Sequence, residues 1–284
     1  MSAGARPVRS GGPDPTGLPP DDLPSETGWL AAAEGLPRFK VIDTRSAQGR
    51  LDHEPKTVTV ADLVLFHGHA CDGLLRGAYA LRALGDVAFP GQPFDRSDLT
   101  VVSKNSPCLG DVAAYLTGGR ARFGTHRLDD SLGVGFVVRQ DSSGATWEVR
   151  EEPGWFPPLI AAWEAALLDD TLVERGLLHE RDMAELVAVN EAIQWNWVRG
   201  VLLPSRPGDH YRVQVLTDAV LPDPLHVARR TDVVNRSVPA PELFSSPYEG
   251  HLDVPAPAVP FEVTSPWRER YLAGPPGRSW HVRR

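Results

Sequence analysis

Proline crowds both ends of this 284-residue chain and thins out between them. Residues 1–24 hold six prolines and residues 218–284 hold eleven. A proline ring fixes φ and removes a backbone donor, so neither end can carry a long helix or a central strand. Regular structure must lie between them. The organisation expected is an irregular segment over 1–24, one domain over 25–217 and a proline-rich extension over 218–284. The extension also contains Leu243, Phe244, Tyr248, Phe261, Trp267, Tyr271 and Trp280. Disordered tails are usually poor in aromatics, so this one is expected to lie as a strap over the domain or over a second copy of the chain.

Within the middle, apolar spacing alternates between helical and strand periods. Cys71 to Leu84 places Leu74, Leu75, Ala78, Leu81 and Leu84 near a 3.6 period, with Gly85 as the stop. Cys108 to Leu116 reads as a second helix closed by Gly118 and Gly119. Pro158 to Asp169 and Glu180 to Val201 read as two more, the last with Trp195 and Trp197 on a core or interface face. Strands are expected over Leu99–Lys104, Arg122–Leu128, Val134–Arg139, Thr146–Arg150 and His210–Leu216, with a hairpin turn around Asp141 to Gly144. The fold class is α+β, with helices packed on a mainly antiparallel sheet.

The formal net charge is −8. That balance argues against a general nucleic-acid binder, which carries a basic surface. No apolar run reaches the ~18 residues of a membrane span, and the N-terminus lacks the apolar stretch of a secretory leader. The expected setting is the cytoplasm. Only two cysteines are present, Cys71 and Cys108. A secreted disulfide scaffold would hold more. A single bridge between them and two buried thiols are the plain alternatives to chemistry.

Chemistry concentrates in the run Phe66-His67-Gly68-His69-Ala70-Cys71-Asp72-Gly73-Leu74. If Leu63 to Phe66 is extended and leads into a strand-to-helix turn, alternation turns His67, His69 and Cys71 toward one pocket. Gly68 would permit the bend. Cys71 and Cys108 each open a predicted helix, where the helix dipole favours the thiolate. Imidazole with thiolate suits zinc, and also iron or copper. Asp111, one turn after Cys108, either orients a ligand histidine or simply complements the helix dipole. Lys104 and Asn105, just before Cys108, are candidates to bind an anionic group of a substrate or cofactor, against a solvated strand-end reading. His126 reads as an edge-strand histidine within reach of the pocket, and Tyr79 as core.

The first block resembles the opening motif of the FmdE-like family, named for a component of formylmethanofuran dehydrogenase: Phe-His-Gly-His, an apolar residue, then Cys-Pro-Gly. The second block, Asn105 to Cys108 with Asp111, Val112 and Ala113 and then Leu116-Thr117-Gly118, resembles the family's Cys-x-x-Asp helix ending in Thr-Gly. The resemblance covers residues 60–150 and continues weakly to 217. It implies an α+β core, a homodimer, and a pocket formed by His67, His69, Cys71, Cys108 and Asp111. Three departures stand out. Asp72 replaces the proline, Gly119 stands where a further cysteine is frequent, and no Cys-x-x-Cys pair follows to build the zinc ribbon that many members carry.

The reading is a metal-dependent enzyme. His67, His69 and Cys71 are the metal ligands, Cys108 and Asp111 the candidates for catalysis, and Lys104 and Asn105 those for cofactor or substrate binding. The cofactor expected is a transition-metal ion, zinc first, with iron or haem as the alternative. The partner is a small-molecule substrate, turned over hydrolytically or by an oxidoreductase reaction. The second reading is a non-catalytic accessory protein that binds a metal or cofactor.

Overall fold

A computed structural model describes residues 35–45, 49, 50, 52, 54–168, 171–224 and 268–276. The expected irregular segment 1–24 and most of the aromatic extension lie outside them.

The backbone begins with β1 (Arg38–Ile42), β2 (Lys56–Thr59), α1 (Val60–His67) and α2 (Asp72–Ala88). Then come β3 (Phe94–Asp95), β4 (Leu99–Ser103), α3 (Pro107–Thr117), β5 (His126–Leu128), β6 (Gly135–Gln140) and β7 (Thr146–Glu151). The second half holds α4 (Pro158–Leu167), α5 (Thr171–Glu174), α6 (Glu180–Trp197), α7 (Pro207–His210), β8 (Tyr211–Leu216) and α8 (Arg268–Leu272). Five strands form one sheet in the order β5-β4-β6-β7-β8. Only β4 and β5 run parallel in it, joined by the α3 crossover, and the other three pairings are antiparallel. The α+β class with a mainly antiparallel sheet is what the alternating periods implied. A second sheet, β2-β1-β3, was not foreseen.

Alternation along the strands divides the large sheet into two faces. Val101, Phe136, Val138 and Val149 join the main core together with Leu74, Leu75, Ala78 and Leu81 of α2. Val102 and Val137 face the other way, with Leu132, and are covered by Leu216 and Leu221. After β8 the chain thus crosses the outer face of the sheet, and Pro222 O accepts from Arg127 Nη1 on β5 at 2.8 Å. Residues 268–276 of the extension also pack on the domain. The Trp163 indole donates to Tyr271 O at 2.6 Å, and the Tyr271 hydroxyl donates to Asn190 at 2.6 Å. These described pieces behave as the strap reading expected.

Several boundaries moved for identifiable reasons. Gly85 does not end α2, which runs to Ala88. A Cβ at Gly85 would lie 3.0 Å from the Phe94 ring, so this glycine makes room for a neighbour. The expected strand from Arg122 begins only at His126. Ala121–Phe123 is a 3-10 turn ended by Gly124 at φ 71°. The final long helix passes at Trp197 into a π-helical turn, Val198–Leu202. Trp195, Trp197 and Tyr79 are core residues.

The strand-to-helix turn expected before the His-Gly-His run is wrong. Leu63 to His67 is helical. Thr59 caps α1 through a reciprocal box in which its own N–H donates to Asp62 at 2.7 Å and its hydroxyl accepts from Asp62 N at 3.3 Å. Such a box meets two backbone donors that a helix start would otherwise leave open. Val60, Leu63 and Val64 then bury at helical spacing.

Candidate metal centre

Three helix ends meet at the site. His67 is the last residue of α1, Cys71 is the N-cap of α2, and Cys108 is the second residue of α3. Gly68 between α1 and α2 has φ 100°, a left-handed value that glycine adopts without steric cost. Its N–H returns to Val64 O at 2.8 Å and closes α1. This reversal, not strand alternation, brings His67 back over His69, with ring centroids 4.5 Å apart. Gly73 sets the approach of the other two helices: a Cβ there would lie 3.2 Å from both Cβ and Sγ of Cys108.

The ligand atoms of His67, His69 and Cys71 all lie within 4.8 Å of one another. Cys71 Sγ is 3.7 Å from His67 Nε2 and 3.4 Å from Cys108 Sγ. In a tetrahedral zinc site, bonds of about 2.3 Å to sulfur and about 2.05 Å to nitrogen place two sulfurs about 3.8 Å apart, and sulfur and nitrogen about 3.6 Å apart. The residues present therefore fit one such ion with small side-chain adjustments. His67 Nδ1 is hydrogen-bonded to Asp111 Oδ2 at 2.7 Å. That bond turns Nε2 toward the thiols, the carboxylate–histidine arrangement common behind metal ligands.

The same contacts set the proton inventory. Asp111, with help from Cys108, holds His67 up at about 9 against its burial. The Cys71 thiol donating to it, with His67 beside it, brings Cys108 down to about 5. Cys71 shifts the other way, well above the ordinary thiol range, because it keeps the proton it shares with Cys108 and is buried. The expectation that the helix start would favour the Cys71 thiolate is thus reversed. Its Sγ does accept from Leu74 N at 3.3 Å, and that bond lowers the pKa, but Cys108 and burial outweigh it. Of the two thiols, Cys108 carries the charge.

A buried ion network braces the start of α2. Arg76 donates twice to Glu151 on β7, at 2.8 and 2.6 Å, and to Asp72 at 3.1 Å, with its guanidinium 3.7 Å from the centroid of the Phe156 ring. Asp72, which stands where the resembling family has proline, thus ties the metal turn to the sheet. Lys104 is exposed, and Asn105 is held by its backbone N–H on Asp130 at 3.0 Å. His126 lies beside the site rather than in it, bonded to Ser103 at 2.9 Å and held below its ordinary value by burial.

One neighbour was missed from sequence. Burial and Asp72 push Glu164, on α4, up to about 7, and it lies in the fields of Arg76, Cys108 and Lys104. Its only sequence signal is a carboxylate set in the apolar run Leu159 to Leu167. Among the described residues no helix is long and apolar enough to cross a membrane.

The family profile described as FmdE, molybdenum formylmethanofuran dehydrogenase operon, matches residues 66–191, a span that contains every candidate site residue. Among curated proteins, none matches the chain. Among solved structures, the chain is similar to an FmdE-like protein of tungsten formylmethanofuran dehydrogenase from Syntrophus aciditrophicus. Identity is 14%, coverage is 56% of this chain and 72% of that one, and the TM-score is 0.32. Residues 66–191 are an FmdE domain, and through it the chain belongs to the FmdE-like family.

Proposed function

We propose that His67, His69 and Cys71 hold one transition-metal ion, zinc first, in an enzyme that acts on a small molecule. The observation that carries this reading is the convergence of three ligand atoms within 4.8 Å, with Asp111 bonded to the far nitrogen of His67. A metal held by three protein ligands keeps an open position and supplies Lewis-acid or redox chemistry there. Around it, Asp111 is a positioning residue that fixes the His67 tautomer. Cys108, already a thiolate, stands beside the open position as nucleophile or base. Lys104 and Asn105 sit at the start of α3, and we assign them an anionic group of the substrate. The setting we infer is the cytoplasm, where adjacent thiols stay reduced, and the assembly a homodimer.

A second reading rests on the 3.4 Å between Cys71 and Cys108. If Cys108 completes a four-ligand shell, no position stays open, and the protein carries or delivers metal instead of using it. Cys108→Ser separates the two. On the enzyme reading the variant keeps metal affinity within about threefold and loses turnover, because a hydroxyl is a far weaker nucleophile. On the carrier reading affinity falls by more than about tenfold, because a neutral hydroxyl replaces a thiolate ligand. Metal titration of both proteins, after elemental analysis and an ultraviolet-visible spectrum of the purified chain, decides between them.

Asp111→Ala gives an independent check. It should weaken metal affinity by about 10- to 100-fold, the usual cost of losing the carboxylate behind a ligand histidine. Asp111→Asn, which can still accept from Nδ1–H, should recover part of that loss. Unchanged affinity in Asp111→Ala would remove His67 from the ligand set.

A further inference from the structure

The pairing of Cys71 with Cys108 is closer than a metal site alone requires. The two sulfurs are 3.4 Å apart, nearer than the roughly 3.8 Å of two thiolates on one tetrahedral zinc. Both are free thiols, neither is fully buried, and each sits at the first turn of a different helix. Gly73 removes the side chain that would hold those helix ends apart. A disulfide needs the sulfurs at about 2.05 Å, so about 1.4 Å must close, within reach of a side-chain torsion at each cysteine. No other cysteine exists in the chain to compete.

We propose that Cys71 and Cys108 form a reversible disulfide that shuts the site to metal. The oxidant is a small disulfide of the glutathione class. One protein thiolate attacks a sulfur of the small disulfide, forming a mixed disulfide and releasing one small thiolate. The second protein thiolate attacks the protein sulfur of that mixed disulfide and releases the other. Two electrons pass from the protein thiols to the small disulfide. The two thiol protons end on the two released small thiols. The product has lost the Cys71 ligand, and in that respect the inference rests on the metal reading above. Disulfide formation itself does not, because it needs no metal.

The test uses the full chain stripped of metal and held under native conditions with oxidised glutathione, then acid-quenched and treated with a maleimide. The intact mass should fall by two hydrogens, with neither cysteine labelled, and dithiothreitol should restore both thiols. Cys108→Ser should instead retain a single glutathione on Cys71. Oxidised protein should take up at least about tenfold less zinc than reduced protein, and zinc loaded beforehand should slow oxidation by about tenfold or more, because an engaged thiolate is no longer the attacking group. Two maleimide-reactive thiols after treatment, or glutathione adducts with no internal bond, would overturn the proposal. So would equal zinc uptake by both forms. Failure of the reduced protein to take up zinc, with the disulfide still forming, would overturn the metal reading and leave the redox pair standing.

Discussion

Cys71→Ala should reduce bound metal from about one ion per chain to a trace, with affinity lowered by more than about a hundredfold. Losing a residue behind a ligand already costs about 10- to 100-fold, and here a ligand itself is removed. The fold should survive, since the N-cap contact of Cys71 with Leu74 N is worth about 1 kcal/mol at most. Elemental analysis after dialysis against a chelator, with circular dichroism as the control, reads both. Wild-type metal content in the variant would end the assignment. The proton inventory adds a sign. In the metal-free protein His67, at about 9, and the raised Cys71 both carry protons near neutrality. Both must lose them to bind an ion. Affinity should therefore rise with pH, by about tenfold per unit for each proton released. The His67 part of that slope should level off above about 9. Calorimetry in two buffers of different ionisation enthalpy counts the protons.

Tyr271→Ala should destabilise the protein by about 3–5 kcal/mol, the usual cost of truncating a buried aromatic side chain. Tyr271 is 1% exposed and stacks on Trp163 with centroids 5.3 Å apart. Its hydroxyl donates to Asn190, which is itself buried and would lose that donor. The melting temperature should fall by about 10 °C. Tyr271→Phe isolates the hydrogen bond and should cost only about 1–2 kcal/mol. A melting temperature unchanged in Tyr271→Ala would mean that α8 is not part of the folded unit in solution.

The site's membership was legible in sequence because its ligands are chemically distinctive and closely spaced. Its geometry was not. His67, His69 and Cys71 alternate in a way that suits an extended segment equally well, and Leu63 to Phe66 is apolar enough for either a strand or a helix. The deciding signal was present as Thr59-Val60-Ala61-Asp62, a capping box with aspartate in place of glutamate. Glu164 and the Arg76–Asp72–Glu151 network stayed hidden for a different reason. Arg76 and Glu151 are 75 residues apart, and no local period relates a carboxylate on α4 to a thiol on α3.

The sequence by itself determined which chemistry is available: two imidazoles and two thiols, set beside glycines, in a chain whose prolines confine regular structure to the middle. Local rules reach that far because helix starts, glycine turns and apolar periods are properties of neighbouring residues. The tertiary structure alone decided how the protons are shared. Both cysteines sit at helix starts and looked alike on that ground. Only the approach of α2 to α3 at Gly73 put them 3.4 Å apart. At that separation two thiols cannot both ionise cheaply. Asp111 and His67 then tip the charge to Cys108, through a carboxylate that lies 44 residues along the chain from the histidine it holds.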